Sequence, residues 1–375
     1  MSRPGETWAM RSRREKTIMR ATNRKRLLGG IRAWVAVAVL AVAAPARGQT
    51  PSAEDEKYGK AFDAAIDNAL EYLQKAQLKD GSFPGGIPRS TAVASLCVMA
   101  FLARGYSPEI PPHGDALNRS IDFVLASQGP SGTLIGGAGS MYAHNISTLM
   151  LSEVSGMVDS ERQARVREAL AKALRLTLAA QAVHKSETYE GGWRYGPDSN
   201  DSDISHSGWA LLALRSARNN GAPVPEECIS NAVKFIQRCR NADGGFAYQP
   251  GSGSGLGRTG VGLLSLELTG HHRDKTTLAA GEYILRCIKG RNPDPIFFYC
   301  TYYCAQGMFQ LGDDEWRTFA PQLYDPLLKT QKPDGSWPVT LSQHKGEEMA
   351  GPCYSTAMAV LALSVSYRQL PIYQR

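Results

Sequence analysis

The chain has 375 residues, a formal net charge of +7, and 43% hydrophobic residues. Eleven Lys/Arg and only two acidic residues lie among the first 48, so that segment carries +9 and the rest of the chain −2. The excess positive charge therefore belongs to the N-terminal segment, and nothing basic remains to predict a nucleic-acid-binding surface.

Residues 1–48 have the pattern of a secretory signal peptide. A basic region precedes a run of twelve apolar residues from Ala33 to Ala44, and Ala44-Pro45-Ala46 is a small-x-small cleavage pattern. Twelve residues are too few to span a bilayer. We therefore expect an exported protein, periplasmic or extracellular, with no transmembrane anchor after signal cleavage.

The remainder is predicted to form one domain built from repeats. We expect a flexible lead at residues 49–57, a folded domain at 58–370 and a C-terminal tail at 371–375. The folded domain contains six copies of a helix–loop–helix pattern. In each copy an amphipathic helix is followed by a Gly-rich loop and a second helix that is apolar on nearly every side.

The second helices determine the predicted architecture. A helix that is apolar all round must be covered all round, so the six second helices need shielding by the six amphipathic ones. An open solenoid would also need polar capping repeats, which the first and last copies do not resemble. The sequence predicts an all-α fold, a closed (α/α)6 toroid of two concentric helical rings. The inner helices are predicted to begin near Ser90, Asn145, Asp203, Arg258, Tyr299 and Tyr354.

The loops carry motifs of a known superfamily. Gln77…Asp80-Gly81-Ser82-Phe83 and Gln331…Asp334-Gly335-Ser336-Trp337 resemble the QW motif of squalene and oxidosqualene cyclases, which protein prenyltransferase β subunits share in weaker form. Gln181…Gly192-Trp193 and Asp243-Gly244-Gly245-Phe246 resemble degenerate copies. The resemblance covers residues 58–370 and implies the toroid. It implies no single activity, because some pectate lyases and complement thioester domains share that fold. We interpret the motif residues themselves as structural.

Inner helices that run parallel place their N-termini around one mouth of the ring. Six positive helix ends favour an anion or a carboxylate there. An aromatic lining with few charges suits an apolar ligand that carries one polar group. The candidate ligand-binding residues at these helix starts are Tyr142, His144, Arg258, Tyr299, Tyr302, Tyr303 and Tyr354.

The segment Asp201-Ser202-Asp203 resembles the Asp-x-Asp-Asp motif with which squalene cyclases protonate their substrate, but Ile204 occupies the last position. Clustered carboxylates can retain a proton, which makes Asp203 and Asp201 candidate catalytic residues. His206 could orient Asp203 or exchange a proton with it. Alternatively, Asp201 shapes the turn and Asp203 only caps the helix. The sequence leaves both interpretations open.

The zinc site of protein prenyltransferases is only partly matched. Gly351-Pro352-Cys353-Tyr354-Ser355 resembles the family's Asp-Gly-Cys-Tyr-Ser segment without its Asp, and Phe298-Tyr299-Cys300-Thr301 resembles Phe-Tyr-His-Thr without its His. We therefore expect no metal and no cofactor. A disulfide between Cys300 and Cys353 is an alternative use in an exported protein. The seven cysteines leave at least one unpaired.

Three functions follow from these observations. The first is a module that binds an apolar small molecule, an isoprenoid-like lipid, or a protein partner through the mouth. The second is a terpenoid cyclase or transferase that uses Asp203, although the missing third acid counts against it. The third is a polysaccharide-acting enzyme on the same barrel, for which the sequence offers no recognisable carboxylate pair.

Overall fold

Helices make up most of the computed structural model, which describes residues 53–136, 139–289, 297–339 and 345–374. In these residues, extended pairing is limited to three isolated bridges. The predicted signal peptide, residues 1–48, lies outside the described residues. The first helix begins at Ala53, inside the stretch predicted to be a flexible lead. None of the described helices has the length and apolar character needed to cross a bilayer.

Apart from the short α12 (Lys345–Ala350), the helices alternate between an outer and an inner ring. In chain order they are α1 (Ala53–Ala76), α2 (Thr91–Ala103), α3 (Gly114–Ala126), α4 (Met141–Glu153), α5 (Ser160–Ala182), α6 (Ile204–Asn219), α7 (Glu226–Arg238), α8 (Leu256–Glu267), α9 (Lys275–Ile288), α10 (Phe298–Leu311), α11 (Asp313–Thr330), α12 (Lys345–Ala350) and α13 (Pro352–Leu363). The inner helices α2, α4, α6, α8, α10 and α13 are buried along most of their length. The outer helices bury one stripe, as their amphipathic sequences require.

The inner helices form a closed ring. Each contacts the next along the chain, from α2 through α4, α6, α8 and α10 to α13, and α13 packs against α2. The outer helix α1 closes the second ring by contacting both α11 and α13. The prediction of an all-α (α/α)6 toroid is thus confirmed. A closed ring has no terminal repeat, which explains why neither end of the sequence carries a polar capping repeat.

The predicted starts of the inner helices agree closely with the structure. Ser90 and Asp203 are the N-caps of α2 and α6, and their side chains accept backbone hydrogen bonds there. Helices α8, α10 and α13 begin within two residues of the predicted positions. Only α4 begins four residues early, before Asn145. The reason is local, because Ser140 Oγ accepts the N–H of Tyr142 at 3.1 Å and caps the helix there.

The motif of the sixth repeat shows why the QW residues are structural. Gly335 has φ +87°, and a Cβ there would lie 2.2 Å from the carbonyl oxygen of Asn68, so only glycine fits. Gln331 Nε2 donates to Ala65 O at 2.7 Å. Trp337 is fully buried, and its indole N–H donates to Leu327 O at 2.9 Å. The motif therefore joins the last repeat to the first.

The C-terminal residues, predicted to be a tail beyond the domain, belong to the fold. Pro371–Tyr373 form a 3₁₀ turn at the end of the ring where the inner helices finish. The N–H of Ile372 donates to Glu153 Oε2 at 3.2 Å, and Gln310 Nε2 donates to Tyr373 O at 3.3 Å. Ile372 and Tyr373 are both buried, and that burial explains why the segment docks.

Candidate functional site

Asp203 is fully buried at the N-terminus of α6 and uses its two carboxylate oxygens for different contacts. Oδ1 accepts the backbone N–H groups of Ser205 at 2.9 Å and His206 at 3.0 Å, which caps the helix. Oδ2 lies 2.8 Å from His206 Nδ1 and 3.2 Å from Arg194 Nη1. Asp203 is therefore both a helix cap and the partner of an imidazole and a guanidinium.

His206 is held by one ring nitrogen and leaves the other without a partner. Its side chain is 2% exposed, and Nε2 has no hydrogen bond to any described residue. The rings of Tyr142 and Tyr195 pack edge-on against it, with centroids 5.4 Å and 4.4 Å away. A buried imidazole with a carboxylate on Nδ1 can present Nε2 as a ligand contact or as a general acid or base.

Asp201 joins this pair through Arg194. Asp201 Oδ2 lies 3.2 Å from Arg194 Nε and accepts a hydrogen bond from Gln249 Nε2 at 3.2 Å. The Arg194 guanidinium also lies over the rings of Tyr195 and Tyr248, 5.1 Å and 5.3 Å from their centroids. The sequence analysis missed Arg194. A tertiary contact places it here, since the residue before it, Trp193, forms an isolated bridge with Asp203.

Three of the predicted tyrosines lie close to one another at the mouth. Tyr142 and Tyr299 are half-buried and Tyr354 is buried. Tyr299 donates its hydroxyl to Ser205 Oγ at 2.8 Å, which links α10 to the first turn of α6. Burial raises the pKa of all three tyrosines well above the usual range, and their nearness to one another adds to the shift for Tyr299 and Tyr354. They therefore act as neutral rings and hydroxyls.

The other two predicted tyrosines lie deeper, around Trp209. Tyr302 stacks on the indole with a centroid distance of 5.3 Å and an interplanar angle of 9°. Tyr303 packs edge-on at 5.3 Å, and all three side chains are buried. The Tyr303 hydroxyl, like His206 Nε2, has no hydrogen-bond partner among the described residues. The indole of Trp209 interacts with the Tyr142 hydroxyl and offsets part of the rise in the pKa of that tyrosine.

His144 lies in the first turn of the inner helix α4, but its imidazole is engaged by contacts with the preceding loop and with α5. Its Nδ1 accepts the N–H of Leu134 at 3.2 Å, and Nε2 lies 3.2 Å from Ala173 O and 3.1 Å from Thr177 Oγ1. Burial lowers the pKa of His144 to about 4, so the ring is neutral. Both ring nitrogens are engaged between α4 and α5, and none is left for a ligand at the mouth.

Arg258 lies against an outer helix. Its guanidinium packs on Gly255, where a Cβ would lie 2.3 Å from Nη2. It also lies close enough to Tyr283 of α9 to oppose the rise in the pKa of that tyrosine, which burial brings to about 12. This placement does not bring Arg258 into the described contacts of Asp203 and His206.

Glu347 is a carboxyl at the mouth that the sequence analysis missed. Its side chain comes from the short helix α12 and is 5% exposed. Oε1 accepts the N–H of Tyr299 at 2.6 Å and Oε2 that of Phe298 at 3.3 Å, so Glu347 caps α10. Burial raises the pKa of Glu347 to about 7 despite these hydrogen bonds. Its neighbour Glu348 is exposed, and nothing in the local sequence distinguishes the two.

The model of the prenyltransferase alpha-alpha toroid domain matches residues 93–291, just over half of the chain. The chain belongs to this family. A variant of the type II terpene cyclase MstE from Scytonema, in complex with geranylgeranyl dihydroxybenzoate, is 16% identical with a TM-score of 0.53, over 84% of this chain and 100% of the other. No curated protein sequence matches.

Two sugar-related proteins share the prenyltransferase-type toroid. Cellobiose 2-epimerase from Bacillus thermoamylovorans is 13% identical with a TM-score of 0.61, over 82% of this chain and 99% of the other. A glycosidase variant in complex with glucose is 13% identical with a TM-score of 0.53, over 84% of this chain and 100% of the other. At such identities the likeness is one of fold alone.

The cysteines of this prenyltransferase-type toroid are unpaired. All seven have free thiols, so the disulfide considered between Cys300 and Cys353 is not formed in the structure. Instead, Cys300 Sγ lies 4.0 Å from Cys304 Sγ on the same helix. Within the described ranges, no group of three or more His, Cys, Asp or Glu side chains is arranged to hold a metal ion.

Proposed function

We propose that this toroid binds, at its mouth, a small molecule that is mostly apolar and carries one polar group, as isoprenoids and terpenoids do. The observation that carries the proposal is a pair of buried polar atoms without a hydrogen-bond partner among the described residues, His206 Nε2 and the Tyr303 hydroxyl. Buried polar groups are nearly always hydrogen-bonded, so two unsatisfied ones in neighbouring side chains favour a site that a ligand completes. Aromatic walls with a few convergent polar groups are typical of such sites.

The Asp203–His206 pair supports a second candidate, an enzyme of the terpenoid cyclase or transferase type. Asp203 Oδ2 accepts a hydrogen bond from Nδ1–H and orients the imidazole, which leaves Nε2 to exchange a proton with the substrate. An imidazolium is too weak an acid to protonate an isolated alkene readily. In this enzyme His206 would therefore act mainly as a base, oriented by Asp203, while Arg194 holds the carboxylate in place.

A titration of the purified protein tests the binding proposal. Farnesol is added to wild type, to His206→Gln and to the control His184→Gln, whose histidine is exposed, and tryptophan fluorescence is recorded. We expect saturable binding by wild type and the control, and binding about tenfold weaker for His206→Gln, the effect of one lost hydrogen bond. Equal farnesol affinities of wild type and His206→Gln would show that His206 does not contact the ligand. Binding of cello-oligosaccharides instead of farnesol would favour the polysaccharide alternative.

We also propose that the protein is exported. The support is the basic segment followed by the apolar run from Ala33 to Ala44. The full chain and a Val37→Asp variant can be produced in a Gram-negative host and fractionated. We expect wild type in the periplasm or medium with an intact mass that starts near Arg47, and the variant retained in the cytoplasm. Wild type that stays cytoplasmic and uncleaved would refute export.

A further inference from the structure

The hydrogen bonds around His206 determine which of its ring nitrogens carries the hydrogen. Asp203 Oδ1 accepts two backbone N–H groups, and Oδ2 lies 3.2 Å from Arg194 Nη1. Both carboxylate oxygens face donors, so Oδ2 also acts as an acceptor toward His206 Nδ1, which lies 2.8 Å away. In the neutral imidazole Nδ1 therefore carries the hydrogen, and Nε2 presents a lone pair.

The lone pair of His206 Nε2 receives no donor from its surroundings. The imidazole is buried, and Nε2 has no hydrogen-bond partner among the described residues. The rings of Tyr142 and Tyr195 pack against it, but their hydroxyls are engaged elsewhere. The Tyr142 hydroxyl interacts with the indole of Trp209, and the Tyr195 hydroxyl lies 3.0 Å from that of Tyr248. A buried acceptor without a donor is costly, so a ligand that donates a hydrogen bond is favoured here.

The N-termini of two inner helices at the mouth already carry carboxyl groups of the protein itself. Asp203 caps α6, and Glu347 caps α10. The helices α2 and α4 are capped by the hydroxyl oxygens of Ser90 and Ser140. An anion placed at the start of α6 or α10 would compete with a carboxyl group for the same N–H groups. The caps therefore favour a neutral polar group over the anion expected from the helix ends alone.

We propose that the polar group recognised at the mouth is a neutral hydroxyl that donates its hydrogen to His206 Nε2. The inference rests on the proposed function and narrows the ligand to an apolar alcohol or phenol. A ketone, an ether or an ester offers only acceptor oxygens and would face the Nε2 lone pair. A carboxylate or a diphosphate would also bring negative charge close to Asp203. The Tyr303 hydroxyl, which is unpartnered among the described residues, can donate or accept and so leaves this preference unchanged.

Three ligands with the same isoprenoid skeleton test this inference. Farnesol, its methyl ether and farnesoic acid are titrated against wild type, His206→Gln and the control His184→Gln at a pH of about 8, where a free imidazole is neutral. We expect wild type to bind farnesol at least about tenfold more tightly than the ether or the acid, because neither of these supplies the donor. In His206→Gln the ratio of farnesol to ether affinity should approach one, since an amide offers a donor as well as an acceptor. His184→Gln should keep the wild-type ratio.

The outcomes separate the two proposals. If wild type binds none of the three ligands, the proposed function fails and this inference fails with it. If wild type binds the ether or the acid as tightly as farnesol, only the assignment of a hydroxyl is refuted. If His206→Gln keeps the wild-type preference for farnesol, the hydroxyl does not donate to His206 and the inference is refuted. Circular dichroism establishes that the variant is folded, and His206→Asn takes its place if it is not.

Discussion

Asp203 Oδ2 lies 2.8 Å from His206 Nδ1, while Oδ1 of the same carboxylate caps α6. The same side chain therefore has two roles. It caps the first turn of α6, and it orients the imidazole of His206. The two roles place different demands on the residue. A cap needs only an acceptor oxygen, which Asn also provides, whereas Oδ2 faces two donors and must itself accept.

Substitutions of Asp203 should separate the two roles. In Asp203→Asn we expect the cap to remain but the His206 contact to be lost, because an amide N–H₂ cannot accept the Nδ1 proton. Farnesol affinity should fall about tenfold, the worth of one hydrogen bond. Asp203→Ala should lose in addition about 1 kcal/mol of stability through the missing cap. Fluorescence titration and urea denaturation measure the two effects. Full ligand affinity in Asp203→Asn would leave Asp203 as a cap alone.

Removing the aromatic residue of the sixth motif should destabilise the whole ring. Trp337 is fully buried and bonded to Leu327 O. We expect Trp337→Ala to lower the free energy of unfolding by about 3–5 kcal/mol, the usual range for a buried Trp. Urea denaturation followed by far-UV circular dichroism provides the measurement. Leu78→Ala is the control because Leu78 is an apolar side chain of the folded domain that is 48% exposed. An unchanged midpoint for Trp337→Ala would contradict the packing described above.

The stability of the protein should depend on pH through Glu153. Burial raises the pKa of Glu153 from its ordinary value of 4.5 to about 7. The folded state therefore binds more protons than the unfolded state between these values, so the free energy of unfolding should fall as pH rises through this window. The slope contributed by one such group is at most about 1.4 kcal/mol per pH unit.

Glu153→Gln should flatten this pH dependence, and melting temperatures between the two pKa values measure it. Burial also raises the pKa of Glu347 to about 7. A smaller decrease in stability with pH should therefore remain in Glu153→Gln. Glu348→Gln is the matched control because Glu348 is exposed. If wild type and Glu153→Gln show parallel curves, Glu153 does not titrate as described.

The seven free thiols should differ in reactivity. Iodoacetamide reacts with the thiolate, so exposure and a low pKa both favour labelling. We expect partly exposed Cys228, Cys287 and Cys300 to be labelled first in the native protein. The four buried thiols should react only after unfolding, since burial raises the pKa of Cys97 and brings those of Cys239 and Cys353 to about 12 and about 11.

Peptide mapping by mass spectrometry gives the order of labelling. Seven labels in denaturant without reductant are expected, because the structure contains seven free thiols. A smaller number would reveal a disulfide in the purified protein. Early labelling of Cys353 would show that its helix start is more open than the structure indicates.

Local features of the sequence predicted the fold and part of the site. The apolar inner helices require a second layer, and Ser90 and Asp203 mark helix starts by their own chemistry. His144 is at the start of an inner helix, as predicted, but the sequence does not show that its imidazole contacts Ala173 and Thr177 of α5. Glu347 could not be found from the sequence, because the backbone N–H groups that it accepts from are 48 and 49 residues away along the chain.

The joining of the first repeat to the last also determines when the molecule can fold. Helix α1 packs on α11 and α13, and Gln331 bonds Ala65 across a separation of 266 residues. The inner helix α2 packs on α13, so it cannot be fully covered until the final repeat has been synthesised. Contacts between residues so far apart in the chain form slowly, and apolar surface stays exposed until they form. We therefore expect closure of the ring to slow folding relative to an open solenoid of equal length.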